Sequence, residues 1–310
     1  MFTQAIKVEN LTKSYKDNHV LKGVSFTVPK GKIFALLGSN GAGKTTIIRI
    51  MATLLRPDGG SIEICGCDVV KQPEQVRACI SLTGQFAAVD ELLTGRENLW
   101  IIGELRHLSD KNKQGEKLLE LFRLTAVADK PVSTYSGGMR RRLDIAMSMM
   151  GQSPVVFLDE PTSGLDPQNR LAMWEIIQSM AANGKTVFLT TQYLDEAEYL
   201  ADHIVVLHEG VIIADGTSEE LKEKIPQGII QIQFRNELEL AKALELLSEY
   251  AIYGGDREYT LDIQTDGGAM QFADILNRLN QSNVEMVKFA PKQPTLEDAF
   301  LTLIGEKKGG

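Results

Sequence analysis

The chain has 310 residues with 43% hydrophobic content, enough for one large core and a smaller one, so two domains are expected. Its 41 acidic residues outnumber 33 basic ones, giving a net charge of −8. That balance argues against nucleic acid as a partner, which needs a cationic surface to neutralise phosphates.

Cys65, Cys67 and Cys79 are an odd set with no matching Cys or His cluster, so they read as free thiols of a reducing compartment. No apolar run approaches the ~18–20 residues that cross a bilayer. The N-terminal residues enter strand-like alternation directly, without the core of a signal peptide. A membrane role is therefore expected from outside the lipid.

Taken in chain order, residues 6–8 and 20–28 read as strands, the second with apolar alternation at Val24, Phe26 and Val28. Pro29-Lys30-Gly31 turns into the apolar run 33–37, which ends in a glycine-rich loop. Helical spacing over 45–55 follows, stopped by Pro57-Asp58-Gly59-Gly60. From about 90 to 150 the pattern is mostly helical, with Leu118, Leu119, Leu121, Phe122 and Leu124 crowding one side. Residues 155–158 and 186–189 are short buried-strand runs joined by a crossover helix over 171–180, which implies a parallel sheet. Residues 204–207 and 211–214 form a closing hairpin, and the first domain is expected to span 1–223.

Beyond Ile225-Pro226-Gln227-Gly228, the second domain (229–310) reads as strand 229–234, helix 238–247 and two strands flanking Gly254-Gly255. Helix 270–279, strand 284–289 and a last helix 296–304 complete it. This β-α-β-β-α-β order is the ferredoxin-like arrangement.

Gly38-Ser39-Asn40-Gly41-Ala42-Gly43-Lys44-Thr45 matches G-x-x-x-x-G-K-[ST]. Glycines let successive backbone N–H groups turn inward around phosphate oxygens, and the helix behind aims its positive end at the same anions. Lys44 is expected to reach the terminal phosphates and Thr45 to offer a hydroxyl to Mg²⁺, with Thr46 beside them. A glycine turn of no function is the bland alternative; the strand before it and the helix after it argue otherwise. In Val155-Val156-Phe157-Leu158-Asp159-Glu160, Asp159 is placed to hold a Mg²⁺-bound water and Glu160 to orient or deprotonate the attacking water. Tyr135-Ser136-Gly137-Gly138-Met139-Arg140-Arg141-Arg142 opens a helix over 139–150 and supplies a second anion-binding surface, free to bind the nucleotide of another copy. The three arginines point different ways on a helix and are expected to be solvated or paired with acids.

With these motifs in order over residues 6–220, the chain resembles ABC ATP-binding subunits. The resemblance implies an α/β P-loop NTPase, with a RecA-like parallel core, an antiparallel β subdomain and a helical subdomain at about 90–150, followed by the small α+β domain. It implies that Tyr15 stacks on adenine and that Gln85 touches Mg²⁺ and senses a membrane partner. It also implies that Ser136, Gly137, Gly138 and Met139, with Asp166 of Ser163-Gly164-Leu165-Asp166, face the ATP of a second copy. Tyr-Ser-Gly-Gly-Met-Arg-Arg-Arg-Leu and the ending Pro294-Thr295-Leu296-Glu297-Asp298-Ala299-Phe300 look like the drug-exporter branch of daunorubicin-resistance ATPases.

The chain departs from the commonest pattern at Met139, where glutamine is usual, and at Gln192, where histidine is usual. A glutamine amide donates a hydrogen bond but carries neither charge nor a transferable proton. Hydrolysis is expected to survive, with Glu160 as the main water-orienting residue.

The implied machine is a pair of copies sandwiching two Mg-ATP at the cytoplasmic face, beneath a separate transmembrane permease subunit that chooses the cargo. That subunit is expected to dock near Gln85 and residues 86–96. A DNA-repair ATPase of this class would need a long coiled-coil insertion, and a translation factor a second ATPase half with a basic linker; the chain has neither. A regulatory, non-transport ATPase is the remaining alternative.

Overall fold

Ile33–Leu37, a wholly apolar pentapeptide, is buried along its length, as a central parallel strand covered on both faces must be. The computed structural model that shows this describes residues 4–84, 88–223, 228–254, 258–266, 268–292 and 295–300. It divides into two units, Met1–Ser218 and Glu219–Gly310.

In the first unit, β1 (Gln4–Tyr15) and β2 (Asn18–Pro29) form a long antiparallel hairpin ahead of β3 (Ile33–Leu37). Helix α1 (Lys44–Met51) follows the glycine-rich loop and ends before the expected residue 55, because Thr53 turns into the left-handed region (φ 62°). Next come β4 (Gly59–Ile64), β5 (Cys67–Asp68), α2 (Pro73–Cys79) and β6 (Ile80–Thr83). The helical segment holds α3 (Gly95–Leu105), α4 (Lys111–Leu121) and α5 (Gly137–Ser148). The remainder is β7 (Val155–Asp159), α6 (Pro167–Ala182), β8 (Thr186–Thr191), α7 (Leu194–Leu200), β9 (His203–His208) and β10 (Val211–Gly216).

Two sheets result. An antiparallel one runs β2-β1-β4-β5, and a six-stranded one runs β10-β9-β3-β8-β7-β6, parallel except for the β9–β10 hairpin. Between them lies the main core, in which Phe26, Phe34 and Phe188 stack with ring centroids 5.3–5.8 Å apart and α1 contributes Ile47, Ile48, Ile50 and Met51. Leu118, Leu119, Phe122 and Leu124 are buried as their crowding suggested, in a segment where α4 packs on α3 and α5. Among the described residues no helix is long and apolar enough to cross a membrane.

Helix α8 (Ser218–Glu223) spans the division between the units. The second unit contains β11 (Ile229–Phe234), α9 (Glu237–Leu246), β12 (Ile252–Gly254), β13 (Thr260–Gln264), α10 (Ala269–Gln281) and β14 (Met286–Lys292). Its antiparallel order β12-β13-β11-β14 is that of a ferredoxin-like fold, closed over Ile230, Ile232, Phe234, Ile263, Ile275 and Leu279. A last helix starts at Leu296, where Thr295 and Asp298 cap each other reciprocally; residues 301–304 of the expected helix lie outside the described residues.

Candidate functional site

The parallel register puts Leu37 beside Thr191 and Asp159 beside Thr190, so three adjacent strands end together at one edge of the sheet. The glycine-rich loop leaves β3 at that edge. Gly38 N–H donates to Thr191 O at 3.1 Å, and a Cβ on Gly38 would stand 2.4 Å from the Leu207 carbonyl oxygen. Gly41 and Gly43 adopt φ of 81° and 112°, which favour glycine, and Gly43 abuts Leu21 and the Val20 carbonyl. Ser39, Asn40 and Ala42 complete the loop, and Lys44 through Thr46 begin α1.

Lys44 is 5% exposed. Its Nζ donates to Gly38 O at 2.8 Å and Ser39 O at 3.1 Å, and stands 3.4 Å from Glu160 Oε1. Thr45 Oγ1 reaches Asp159 Oδ1 at 3.5 Å, and Thr190 Oγ1 donates to the same oxygen at 2.5 Å. Glu160 sits in the left-handed region (φ 48°), with its N–H directed at Thr190 O and Oγ1. Such backbone strain in a non-glycine residue gathers at functional sites. The structure therefore unites Lys44, Thr45, Asp159 and Glu160. Half-buried Gln192 follows β8 at the same edge, one residue past Thr191.

Tyr15 is 45% exposed at the tip of the β1–β2 hairpin, whose Val20 and Leu21 pack against Gly43; Lys13 Nζ lies 5.9 Å from its ring centroid. Gln85 lies outside the described residues, as do Phe86 and Ala87 of the expected docking segment.

Ser136, Gly137, Gly138 and Met139 occupy a different place. Helix α5 begins at Gly137, two residues before the expected start, because Ser136 caps it by accepting from Met139 N–H at 3.3 Å. Among the described residues no hydrogen bond or ion pair joins this turn to the glycine-rich loop of its own chain. It lies instead beside the start of α6: a Cβ on Gly138 would meet the Asn169 side chain at 2.5 Å, and Asp166, the cap of α6, binds Asn169 through both carboxylate oxygens. Those bonds from the Asn169 backbone and side chain hold the Asp166 carboxyl below its ordinary range.

Two of the three arginines pair with acids, as expected of the run. Arg140 pairs with Glu91 at 2.6 Å, and Arg142 binds the Phe122 carbonyl at 3.2 Å. Arg141, however, is 8% exposed and turned inward, where it binds backbone carbonyls at the end of β7 as well as the acid Asp144. Burial lowers its basicity, offset by Asp144, Asp159 and Glu196; burial likewise raises Asp144, against the Ala88 N–H and Arg141.

Thr190 and Glu196 also escaped sequence reasoning. Glu196 is buried and accepts from Thr162 Oγ1 at 2.7 Å and Trp174 Nε1 at 3.2 Å; burial pushes its carboxyl up, opposed by the hydrogen bonds of Thr191, Thr162 and Trp174. No sequence signal marked either residue, since a threonine in a strand and an acid early in a helix are ordinary.

A phosphate-gripping loop between a buried parallel strand and a helix, with paired carboxylates ending the next strand but one, defines a P-loop nucleoside triphosphatase. The ABC transporter family profile matches residues 21–163, and that of the ATP-binding protein DrrA1-3-like C-terminal domain matches 216–304. The chain is 41% identical to the daunorubicin resistance ATP-binding protein DrrA3 of Streptomyces coeruleorubidus, over 99% of this chain and 98% of that one. It is 38% identical to the Nod factor export ATP-binding protein I of Rhizobium meliloti (strain 1021), over 98% and 89%. A solved ATP-binding subunit of an ABC transporter superposes with a TM-score of 0.63 at 31% identity, covering 71% of this chain and 92% of that one.

The chain belongs to the ATP-binding proteins of ABC transporters. It is an ATPase, the ATP-hydrolysing subunit that drives a transporter.

Proposed function

We propose that this ATPase powers an exporter of drug-like, amphipathic compounds, working as a pair of copies at the cytoplasmic face beneath a separate membrane subunit. The export of such compounds is suggested by the names of its relatives, one a daunorubicin resistance protein and the other a Nod factor export protein.

In this reading residues 38–46 wrap the phosphates, Lys44 leaves its present carbonyl and carboxylate partners for the terminal phosphates, and Tyr15 stacks on adenine. The hydroxyl of Thr45 and the carboxylate of Asp159 form a hard oxygen pair that fits Mg²⁺, a cation usually held by one or two protein oxygens plus substrate phosphates. Gln85 is the further candidate for that metal. When bound, Mg²⁺ would supply charge neutralisation at the phosphates.

Glu160 orients the attacking water and Gln192 donates an amide hydrogen bond toward the terminal phosphate. Ser136, Gly137, Gly138 and Met139, with Asp166, meet the ATP of the second copy, which suits their common place beside the start of α6. The membrane subunit docks at a cavity of about 310 Å³ whose lining includes Leu82, Ile102, Leu105, Asp144 and Met147, with Ala88 of the expected segment.

The observation that carries the reading is Glu160 standing 3.4 Å from Lys44, aimed at where a terminal phosphate must sit. Steady-state assays test it. Glu160→Gln should retain ATP binding and lose turnover by about a hundredfold or more; unchanged turnover would remove Glu160 from the reaction.

A further inference from the structure

Arg141 is the one member of the arginine run that its neighbours have enclosed. Its Nε donates to Pro161 O at 3.1 Å. Nη2 donates to Asp159 O at 3.0 Å and Glu160 O at 3.4 Å. Nη1 donates to Gly84 O at 2.6 Å and approaches Asp144 Oδ2 at 3.3 Å. One planar fork thus gathers the carbonyls of three successive residues centred on Glu160.

These carbonyls converge because Glu160 is in the left-handed region, a conformation that a non-glycine residue keeps only where its surroundings impose it. Arg141 is such a restraint. The same side chain reaches the segment that flanks Gln85. Gly84 O is bound by Arg141, and Ala88 N–H donates at 2.9 Å to Asp144, one turn further along α5.

Arg141 rides on α5, whose first turn is the Ser136-Gly137-Gly138 surface. A helix of this length moves as a unit. Rigid helices of this kind carry coupling between sites, and α5 joins the Ser136 turn to the carbonyls around Glu160 through Arg141.

We propose that Arg141 is a positioning residue that couples the Ser136 turn to Glu160 within one chain, so that seating the second copy's ATP on α5 sets the water-orienting carboxylate of the site next door. The inference rests on the reading of Ser136 and Glu160 given above. Arg141 acts through the backbone of residues 159–161, whose carbonyls it binds. A lysine cannot reproduce it, since an ammonium is a point donor and the task is to span carbonyls from two strand ends.

The test is a double-mutant cycle on the purified full-length chain, with binding of a fluorescent ATP analogue as the check on folding. Arg141→Lys, and the harsher Arg141→Gln, should bind the analogue within about twofold of the parent and lose about tenfold or more in kcat with KM little changed. Ser136→Ala should also lower kcat. If Arg141 carries the signal, Ser136→Ala/Arg141→Lys falls no more than about twofold below the slower single variant, because both break one link.

Deficits that multiply in the double variant would show that the residues act independently and would overturn the proposal. So would a parental kcat in Arg141→Lys, or a loss of kcat that arginine-to-lysine replacement shares only with a matching loss of analogue binding. A parental rate in Ser136→Ala alone, beside a slow Arg141→Lys, would strike the underlying reading of the α5 turn first and the coupling with it.

Discussion

Thr190→Val tests whether the strand-end geometry is what sustains hydrolysis. Thr190 is fully buried; its hydroxyl donates to Asp159 Oδ1 at 2.5 Å and faces Glu160 N–H at 3.2 Å. Valine keeps the shape and deletes both interactions. Glu160 N–H retains the Thr190 carbonyl at 3.1 Å, so its loss is small. Asp159, only 4% exposed, keeps the longer contact with Thr45 at 3.5 Å. The cost is therefore that of one hydrogen bond to a buried charged group, about 1.5–3 kcal/mol. For a unit of this size that lowers the melting temperature by about 3–12 °C. Displacing the two carboxylates should also cut kcat/KM by about 10–100-fold. Calorimetry and steady-state kinetics on Thr190→Val and Thr190→Ser read both quantities. Serine restores the hydroxyl and forfeits one methyl, so it should lose only about 1 kcal/mol and keep most activity. The reasoning fails if Thr190→Val melts with the parent, or if serine is as damaging as valine.

Gly38→Ala places a Cβ 2.4 Å from the Leu207 carbonyl oxygen, a backbone atom that cannot rotate away; ATP affinity should fall by about tenfold and stability by about 1–3 kcal/mol, read by titration and melting. Glu196→Gln removes a carboxyl whose ordinary value of 4.5 is raised by burial. The folded parent holds that proton where the unfolded chain has released it, so parental stability falls as pH rises from the ordinary glutamate range through the raised value. The stability of Glu196→Gln relative to the parent should therefore grow with pH across that window, and a difference independent of pH would contradict it.

The glycine-rich loop, β3 and β7 were legible because each is a local signal: an apolar pentapeptide, a glycine spacing, an acid at a strand end. The ferredoxin-like order was legible for a similar reason, its segments being marked off in the sequence by Ile225-Pro226-Gln227-Gly228 and Gly254-Gly255. The stretch from β4 to β6 was not. Pro57-Asp58-Gly59-Gly60 reads as a stop, yet Gly59 and Gly60 open β4, where a Cβ on Gly60 would meet the carbonyls of Glu9 and Asn10 at 2.5 Å. Four-residue β6 follows α2 without a turn, so no boundary announces it. Helix α7 is only seven residues long, too short for helical spacing to stand out. Arg141 was legible only in part. Pairing with an acid was expected and Asp144 supplies it, but only the fold shows that the middle arginine also turns inward onto the carbonyls at and just past the end of β7.

The central claim is that ATP closes two copies of this chain and that hydrolysis by Glu160 opens them. Light scattering on the eluting Glu160→Gln variant tests it most directly. With Mg-ATP the mass should rise to about twice the 34.2 kDa of the single chain, and with ADP it should return to the single-chain value. A variant that binds ATP yet remains at single-chain mass would contradict the account.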